Sequence, residues 1–323
     1  MTKKAVLMVN LGTPSEPTAS AIRQYLKQFL SDKRVVELPA FLWKPILYGP
    51  VLTFRPSKLV PKYRSIWMDE GSPLMVYSER LKDLLEKEFQ ARQKDIGVFV
   101  GMRYGQPDCK ERVKEIFKLG YERILVLPMY PQFSAGTTGT VIDRIGEALK
   151  EMRNQPEIRY VKRFYDHPAF IQATANKILS FWQENGKPEA LLLSYHGLPQ
   201  RYIDQGDPYY DDCLQTSELM KQALGEDVKI YSSFQSQFGR DKWIEPSTVE
   251  MMKQLREAGV KCLDVHSPCL VADCLETLEE IGQEYAHEFT QVLGGEAFRF
   301  IPCLNDDGLW AKGLCDLILQ EIG

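Results

Sequence analysis

The 323-residue sequence lacks the long apolar runs and the charge bias that would place a protein in a membrane or on nucleic acid. No stretch approaches the roughly 18 apolar residues that a membrane-spanning helix needs. Lysine and arginine total 40 against 44 aspartates and glutamates, without a basic cluster, so no nucleic-acid partner is expected. The seven cysteines are odd in number and fit a reducing compartment better than a disulfide framework.

The N-terminal apolar run is also too short for a secretory signal. Residues 5–9 are apolar, but Gly12 and Pro14 end the run without a small-residue cleavage site. The run is better explained as a first buried strand, and the protein is expected in the cytoplasm.

Common nucleotide-binding and hydrolase motifs are absent too. The first predicted strand is not followed by G-x-G-x-x-G, and Pro14 and Glu16 stand where a pyrophosphate would approach. The chain has no Walker A motif, no G-x-S-x-G elbow and no C-x-x-C pair. Function is therefore expected from single residues at strand ends, where open α/β sheets place their sites.

What the sequence does contain is a regular alternation of short apolar runs and amphipathic segments. Strands are predicted at 4–10, 97–102, 122–128, 157–161, 189–195, 228–233, 260–266 and 297–301. Helices are predicted at 18–30, 74–92, 107–119, 138–152, 168–184, 209–224, 246–258, 271–291 and 308–322. This alternation predicts an α/β protein with parallel sheets covered on both faces.

The pattern also repeats along the chain. In 122–145 and again in 260–284, a strand is followed by a proline-containing loop and a helix. We therefore predict two similar Rossmann-like, doubly wound domains, 1–162 and 163–323, with the active-site cleft between them. The final helix, 308–322, could pack on either domain.

Residues 39–62 do not fit the alternation. The segment is rich in proline and in large apolar side chains such as Trp43, Leu47 and Leu52. One interpretation is a broken helix that packs on the core. The other is an exposed apolar lip that receives an apolar ligand or rests on a membrane.

The four histidines differ in their predicted settings. His196 ends an apolar strand and Gly197 lets the chain turn beyond it, so the imidazole is expected at the sheet edge. A buried structural histidine is the alternative. His266 ends another strand with fewer polar neighbours, and His167 and His287 are expected to be structural.

Three glutamates form the most regular polar pattern. Glu276, Glu280 and Glu284 repeat every four residues and therefore share one face of a predicted helix. Like charges at this spacing are mildly destabilising. A solvated acidic stripe is the common explanation, and the alternative is a ladder of oxygen ligands for a divalent cation.

Two strand-end features carry candidate chemistry in the first half. The loop 136–140 opens a helix, and its backbone N–H groups could hold an anion or could be N-capped by side chains. Arg103 ends another strand and could bind a carboxylate through two N–H groups.

Six segments together resemble the ferrochelatase family, whose members insert Fe²⁺ into a porphyrin. They occur in the family's order over nearly the whole chain: Asn10-Leu-Gly-Thr-Pro, Gly71-Ser-Pro-Leu, Gly101-Met-Arg-Tyr-Gly, Leu127-Pro-Met-Tyr-Pro-Gln-Phe-Ser, Ser194-Tyr-His-Gly-Leu-Pro and Asp273-Cys-Leu-Glu-Thr-Leu-Glu-Glu-Ile. The resemblance implies two Rossmann-like domains of the chelatase type around a porphyrin cleft. It also implies that residues 39–62 form the lip of that cleft.

The resemblance further assigns site residues. It implies that His196 and Glu276 form the metal-site pair, with Glu280 and Glu284 as an outer ladder. The positions that it implies around the porphyrin are Arg55, Tyr63, Ser72, Arg103 and Tyr104. A neutral imidazole can accept a pyrrole proton and bind Fe²⁺, and carboxylates can bind the cation and carry protons away.

The sequence departs from the family pattern at several places. Cys269 and Leu270 stand where glycine and phenylalanine are usual, Gln237 replaces an arginine, and Ala135 stands where cysteine is frequent. These departures concern the rate and the fine detail of substrate choice.

Some family members hold an iron–sulfur cluster on four cysteines, often in a C-terminal extension. The cysteines considered as ligands here are Cys262, Cys269, Cys274 and Cys303. Their spacing is not that of a conventional site and is typical of buried apolar residues, so no cluster is expected.

The predicted function is insertion of Fe²⁺ into protoporphyrin IX to give protoheme, the last step of heme biosynthesis, without a cofactor beyond the substrate iron. One alternative is a chelatase for coproporphyrin III or for another divalent metal. Another is a non-catalytic protein that binds a metal or a tetrapyrrole. The lip could also make peripheral contact with a membrane.

Overall fold

The computed structural model describes residues 2–225, 227–239 and 241–323. The chain divides into two compact units. One comprises the residues up to Arg163 together with Asp306–Gly323, and the other comprises Phe164–Asn305.

The first unit is built on a four-stranded parallel sheet. Its strands are β1 Lys3–Gly12, β2 Ile96–Tyr104, β3 Tyr121–Pro128 and β4 Glu157–Tyr160. Its α-helices are α1 Ala19–Leu30, α2 Ala40–Ile46, α3 Leu52–Ile66, α4 Pro73–Ala91, α5 Cys109–Lys118, α6 Thr140–Glu151 and, from the C-terminus, α11 Gly308–Ile322. The strand order is β2-β1-β3-β4, and Leu7 of β1 lies opposite Phe99 and Val126.

The core of this unit lies between the sheet and its helices. Leu7, Val113 and Ile145 are fully buried where the sheet meets α5 and α6. Because helices cover both faces of a parallel sheet, its strands are nearly continuous apolar runs. The last helix, α11, packs on α4 and β3, and Arg92 of the first unit forms an ion pair with Asp316 of that helix.

The second unit repeats the same sheet. Its strands are β5 Ala190–His196, β6 Lys229–Gln235, β7 Cys262–His266 and β8 Ala297–Phe300. Its α-helices are α7 Pro168–Asn185, α8 Gln200–Asp204, α9 Tyr209–Leu224 and α10 Thr248–Glu257. The strand order is β6-β5-β7-β8, parallel throughout. The predicted α/β class with two similar parallel sheets is confirmed.

The predicted helix 271–291 is the clearest local difference. The chain there forms two π-helices, Glu276–Tyr285 and Glu288–Val292. Their hydrogen bonds run from residue i to residue i+5, whereas an α-helix uses i+4. Apolar residues spaced three to five apart fit either pattern over so short a stretch, so the sequence predicts a helix without separating the two forms.

A short π-helix also occurs at Ala135–Gly139, and the chain between α2 and α3 is kinked at Gly49, whose backbone is not helical. None of the helices in the described ranges combines the length and the apolar character needed to cross a bilayer.

Candidate active site

The strand-end histidine of the second unit is the first component of the candidate site. His196 is the last residue of β5 and is half-buried. Its ring Nδ1 lies 2.7 Å from the Gly197 carbonyl oxygen. Because a carbonyl oxygen can only accept a hydrogen bond, Nδ1 carries the proton of the neutral ring. Nε2 is left with a lone pair that can accept a proton or bind a metal ion.

Backbone contacts fix where this imidazole stands. A Cβ atom at Gly197 would lie 2.7 Å from the Gln235 carbonyl oxygen, so this turn requires glycine. The Gly197 N–H donates to that oxygen at 2.7 Å. The His196 N–H donates to the Cys269 thiol at 3.2 Å, which gives a physical role to one departure from the family pattern. The backbone is therefore held on both sides of the histidine ring.

The buried Gln235 side-chain amide links β5 to the start of the π-helix Glu276–Tyr285, which we call the acidic helix. Gln235 is 1% exposed at the end of β6. Its Oε1 accepts from the Ser194 hydroxyl at 2.7 Å, and its Nε2 donates to the Glu276 carbonyl oxygen at 2.9 Å. Sequence analysis missed Gln235. The position of Gln235 at the end of β6, the strand beside β5, was the signal that could have identified it.

A buried carboxylate fixes the segment before the π-helix. Asp273 is 2% exposed. It accepts from the Thr277 hydroxyl at 3.0 Å, from the Cys303 N–H at 3.2 Å and from the Asn305 amide at 2.6 Å. Both of its oxygens are used in this way, so Asp273 anchors the helix start.

The three ladder glutamates occupy different environments. Glu276 is the first residue of its π-helix and is half-buried, whereas Glu284 is exposed. Glu280 accepts from the Ser236 N–H at 2.8 Å, the Ser236 hydroxyl at 2.6 Å and the Tyr285 hydroxyl at 2.7 Å. Across the described ranges, no three histidine, cysteine, aspartate or glutamate side chains are grouped so as to hold a metal ion. The glutamates follow one another along the helix and do not form one cluster.

The other histidines occupy structural or exposed positions. His167 caps α7, with Nδ1 accepting from the Ala169 N–H at 3.2 Å. His266 is 1% exposed, and its Nδ1 lies 3.1 Å from the Ile301 carbonyl oxygen. Burial lowers the pKa of His266 to about 4, because the imidazolium loses its hydration. His287 is exposed.

In the first unit, Arg103 is already paired with a carboxylate. Its guanidinium forms an ion pair with Asp32 and donates through Nε to the Thr140 carbonyl oxygen at 2.9 Å. It also lies over the Tyr104 ring, 4.3 Å from the centroid. Tyr104 is 1% exposed and donates from its hydroxyl to Asp32 at 2.9 Å. Burial raises the pKa of Tyr104 well above its ordinary value. Sequence analysis missed Asp32.

Of the remaining residues predicted to contact the porphyrin, two are buried and one is exposed. Ser72 is 5% exposed and caps α4, accepting from the Met75 N–H at 3.4 Å. Tyr63 is buried edge-to-face against Trp67, with ring centroids 6.2 Å apart. Arg55 is exposed on α3.

The loop 136–140 is capped by the protein itself. The Ser134 hydroxyl accepts from the Gly136 N–H at 3.2 Å. The Ser134 carbonyl oxygen accepts from the Thr137 and Gly139 N–H groups, each at 3.2 Å. These contacts are N-capping, the alternative to anion binding that the sequence left open.

The segment 39–62, which we call the lip, is exposed at specific side chains. The exposed fractions are 76% for Phe41, 64% for Phe54, 52% for Leu42, 51% for Tyr48 and 45% for Ile46. The large apolar side chains that the sequence singled out in this segment are placed differently, since Leu47 and Leu52 are buried and Trp43 is half-buried. The Trp43 indole donates to the Leu30 carbonyl oxygen at 2.6 Å. These three side chains attach the segment to the core.

The cysteines considered as cluster ligands are mostly buried. Cys269, Cys274 and Cys303 are buried, and Cys262 is half-buried. Burial raises the pKa of all four thiols, which favours the protonated form over the thiolate that binds metals.

The sequence matches a known family over nearly its whole length. The sequence model of the family described as Ferrochelatase matches residues 3–322. The chain is 48% identical over 318 residues to the ferrochelatase of Bordetella pertussis, covering 98% of this chain and 88% of that protein. It is 47% identical over 323 residues to the ferrochelatase of Neisseria meningitidis serogroup A, covering 99% and 94%. For the ferrochelatase of Vibrio cholerae serotype O1, identity is 46% over 305 residues, covering 94% and 93%.

Solved structures extend the likeness to the fold. SirB from Bacillus subtilis, solved with Fe³⁺, matches with a TM-score of 0.55 at 11% identity, covering 100% of this chain and 96% of that one. DR2241 from Deinococcus radiodurans, a multi-domain protein with structural similarity to chelatases, gives a TM-score of 0.52 at 9% identity, covering 100% and 55%. At these identities the likeness concerns the fold alone. The family match over residues 3–322 and relatives at 46–48% identity show that the chain belongs to the ferrochelatase family.

Proposed function

We propose that this protein inserts Fe²⁺ into protoporphyrin IX, which gives protoheme and releases two protons, as the last step of heme synthesis. The observation that carries the proposal is the family match over residues 3–322. Insertion needs an acceptor for two pyrrole N–H protons and ligands that pass a divalent ion to the ring nitrogens. Fe²⁺ is the substrate, and the proposed reaction uses no resident cofactor.

His196 is assigned the role of proton acceptor. Its Nε2 lone pair takes a pyrrole proton, and the ring becomes an imidazolium. The Nδ1–H bond to the Gly197 carbonyl oxygen then stabilises the positive charge and keeps the ring in one orientation. The tight turn at Gly197 supports this role because the contacts of the Gly197 backbone with Gln235 fix the position of the residue that carries that oxygen.

Glu276 is assigned as iron ligand and as the group that takes protons onward. Carboxylate oxygens bind divalent cations and exchange protons with water. The Gln235 amide holds the Glu276 carbonyl oxygen and so keeps the first turn of the π-helix beside β6. Glu284 is exposed and is assigned as the outer carboxylate that meets hydrated iron. Glu280 lies between them, oriented by Ser236 and Tyr285.

The first unit is assigned the porphyrin contacts. The residues assigned to contact the porphyrin are Arg55, Tyr63, Ser72, Arg103 and Tyr104. Arg55 is exposed, and its guanidinium suits a propionate carboxylate of the macrocycle. Arg103 is neutralised by Asp32, so we assign it, with the buried Tyr104, to shaping the porphyrin wall.

The lip and the thiols support further parts of the proposal. Exposed apolar side chains such as Phe41 and Phe54 favour peripheral contact with a membrane. All seven cysteines are free thiols, which fits a reducing cytoplasm. We therefore assign the reaction to the cytoplasm, beside a membrane surface.

The test is an anaerobic insertion assay with two porphyrins and three metals. Purified protein is incubated with protoporphyrin IX or coproporphyrin III and with Fe²⁺, Co²⁺ or Zn²⁺, and the metalloporphyrin absorption spectrum is followed. Faster formation of protoheme than of the coproporphyrin product supports the proposal. The reverse preference identifies a coproporphyrin chelatase, and porphyrin binding without any metalated product identifies a binding protein.

A further inference from the structure

The strand that ends at His196 extends beyond one of its two neighbours. The pairing of β5 with β7 ends at Leu193, which lies opposite His266, whereas the pairing with β6 continues to His196 and Gln235. A backbone N–H beyond Leu193 that faces β7 therefore needs another acceptor. The His196 N–H donates to the Cys269 Sγ at 3.2 Å, and Cys269 follows the last residue of β7 by three positions. A side chain thus takes the place of a strand carbonyl at the residue that carries the imidazole.

Other buried side chains contact this thiol. The Ser267 hydroxyl lies 3.5 Å from the Cys269 Sγ. The Tyr209 hydroxyl forms side-chain hydrogen bonds with the thiols of Cys269 and Cys213. All four of these residues are buried. Packed neighbours in the same unit therefore set the position of the Cys269 sulfur, which makes it a fixed acceptor for the His196 N–H.

Helix α9 supplies part of this support. Tyr209 and Ser217 are buried and lie eight residues apart on α9, which places them on one face of the helix. Tyr209 contacts Cys269, and the Ser217 hydroxyl lies 2.8 Å from the hydroxyl of Tyr195 in β5. Tyr195 directly precedes His196 in the chain. The same helix face therefore supports the end of β5 at two points.

We propose that Cys269, supported by the Tyr209 hydroxyl, is a positioning residue for His196. The proposal rests on the proposed function, in which His196 accepts a pyrrole proton, and it adds the group that holds this residue in place. His196 is anchored at its own backbone by Cys269 and at its ring by the Gly197 carbonyl oxygen. Loss of the first contact allows the end of β5 to shift. A displacement of about 1 Å at a reacting group can lower a rate by about 10²-fold.

The first test is steady-state iron insertion by variants at Cys269. Cys269→Ala removes the acceptor and should lower kcat by about tenfold, while the KM values for porphyrin and iron change by less than about twofold. Cys269→Ser keeps an acceptor atom at this position and should restore most of the kcat. Cys109→Ala removes an equally buried thiol in the first unit and should keep the wild-type kcat. A wild-type kcat in Cys269→Ala, or equal losses in the alanine and serine variants, would overturn the proposal.

A double-mutant cycle tests the contribution of Tyr209. Tyr209→Phe removes the hydroxyl that reaches the Cys269 thiol and should lower kcat by about threefold. In the Cys269→Ala background the same change should have no further effect on kcat, because Tyr209 acts on His196 through that thiol. Fully additive losses would show that the hydroxyl acts by another route and would contradict the proposal. Thermal unfolding of each variant identifies losses of kcat that come from misfolding.

A measurement without turnover separates this proposal from the proposed function. Protein with isotope-labelled histidine is studied by NMR at about pH 8, where imidazoles are neutral, and the His196 nitrogens are identified by their loss in His196→Gln. Wild type and Cys269→Ser should show the form protonated at Nδ1, whereas in Cys269→Ala both nitrogen resonances should move towards those of a mixture of tautomers.

Each outcome of the NMR measurement decides one of the two proposals. Unchanged His196 resonances in folded Cys269→Ala would overturn the positioning role and leave iron insertion by the wild type standing. The expected change in a protein whose wild type inserts no iron would support the positioning role and contradict the proposed function. If Cys269→Ala does not fold, Tyr209→Phe takes its place, with a smaller change expected, and an unchanged spectrum would again overturn the positioning role.

Discussion

The two units build the same sheet and use its carboxyl edge differently. The order β2-β1-β3-β4 of the first unit returns as β6-β5-β7-β8 in the second. Near the end of the central strand β1, the buried Asn10 amide donates to the Ser78 hydroxyl at 3.3 Å. The central strand β5 ends instead at His196, whose ring forms a single hydrogen bond with the residues that the structure describes, through Nδ1.

The neighbouring strands show the same difference. β2 ends with Arg103 and Tyr104, and both use their polar atoms on Asp32. β6 ends with Gln235, whose side-chain amide forms hydrogen bonds with the Ser194 hydroxyl and with the backbone carbonyl oxygen of Glu276. It does not bind the Glu276 side chain. In the first unit Arg103, Tyr104 and Asp32 pair with one another, whereas in the second unit Gln235 fixes the backbone near His196 and Glu276. The shared topology gives both sheets the same carboxyl edge, and the individual residues at that edge determine its chemistry.

The largest expected effect is loss of the strand-end imidazole. His196→Ala should lower kcat for iron insertion by about 10²- to 10⁴-fold, because the proposed proton acceptor is removed. The exposed His287→Ala is the matched control and should keep wild-type turnover. A folded His196→Ala protein with turnover within tenfold of wild type would contradict the assignment. Steady-state kinetics with protoporphyrin and Fe²⁺ decide between these outcomes.

Replacing the three ladder glutamates one at a time should change the kinetics of iron insertion by graded amounts. Glu276→Gln should lower kcat by about 10²-fold, because it removes both a ligand and a proton acceptor. Glu284→Gln should mainly raise the KM for iron, since the chemical step is untouched. The kinetic effect of Glu280→Gln should lie between these two. This variant should also be less stable, because the new amide N–H₂ faces one of the groups of Ser236 and Tyr285 that donate to the Glu280 carboxylate. Three equally mild phenotypes would leave only a solvated acidic face.

The buried strand-end histidine His266 should make the stability of the protein depend on pH. The pKa of His266 is lowered from 6.5 to about 4 by burial, so the unfolded chain binds a proton in that interval and the folded chain does not. This contribution to stability is complete above about 6.5 and is lost as the pH falls, by about 3 kcal/mol at pH 4. Urea unfolding of wild type and His266→Gln checks it, since the variant should lose this part of the pH slope. His287→Gln should retain the slope, and an unchanged slope in His266→Gln would rule the explanation out.

The smallest expected effect lies in the first unit. Asp32→Asn should lower the free energy of unfolding by about 2 kcal/mol, because Arg103 is left as a largely buried cation with a weaker partner. Asp95→Asn changes the same charge at an exposed position and should have little effect. Equal unfolding midpoints for the two variants would show that the Arg103 pair contributes nothing measurable.

Much of the fold followed from local pattern. All eight predicted strands are present, and no end shifts by more than two residues, because strands buried on both faces are continuous apolar runs between amphipathic helices. His196 was found for a related reason, since Gly197 marks the point where the strand leaves the sheet. The assignment of His196 and Glu276 as a metal-site pair remains a prediction.

Other features depended on residues far apart in the chain. The Arg103–Asp32 pair spans 71 positions and the Gln235–Glu276 contact spans 41. No spacing rule within one element identifies such partners, because they are set by the order in which strands join the sheet. The lip illustrates the same limit, since Leu47 is buried and Phe41 is exposed although both are large and apolar.

The sequence by itself determined where the strands and most helices form, which strand ends in a histidine, and which family the motifs resemble. These properties depend on neighbouring residues, through apolar periodicity, glycine turns and helix caps. The tertiary structure decided that the acidic helix is a π-helix, that Glu280 is held by Ser236 and Tyr285, and that Nδ1 of His196 carries the ring proton. Each of these depends on where a particular oxygen or N–H group comes to lie, and only the packing of the whole unit places those atoms within hydrogen-bond distance.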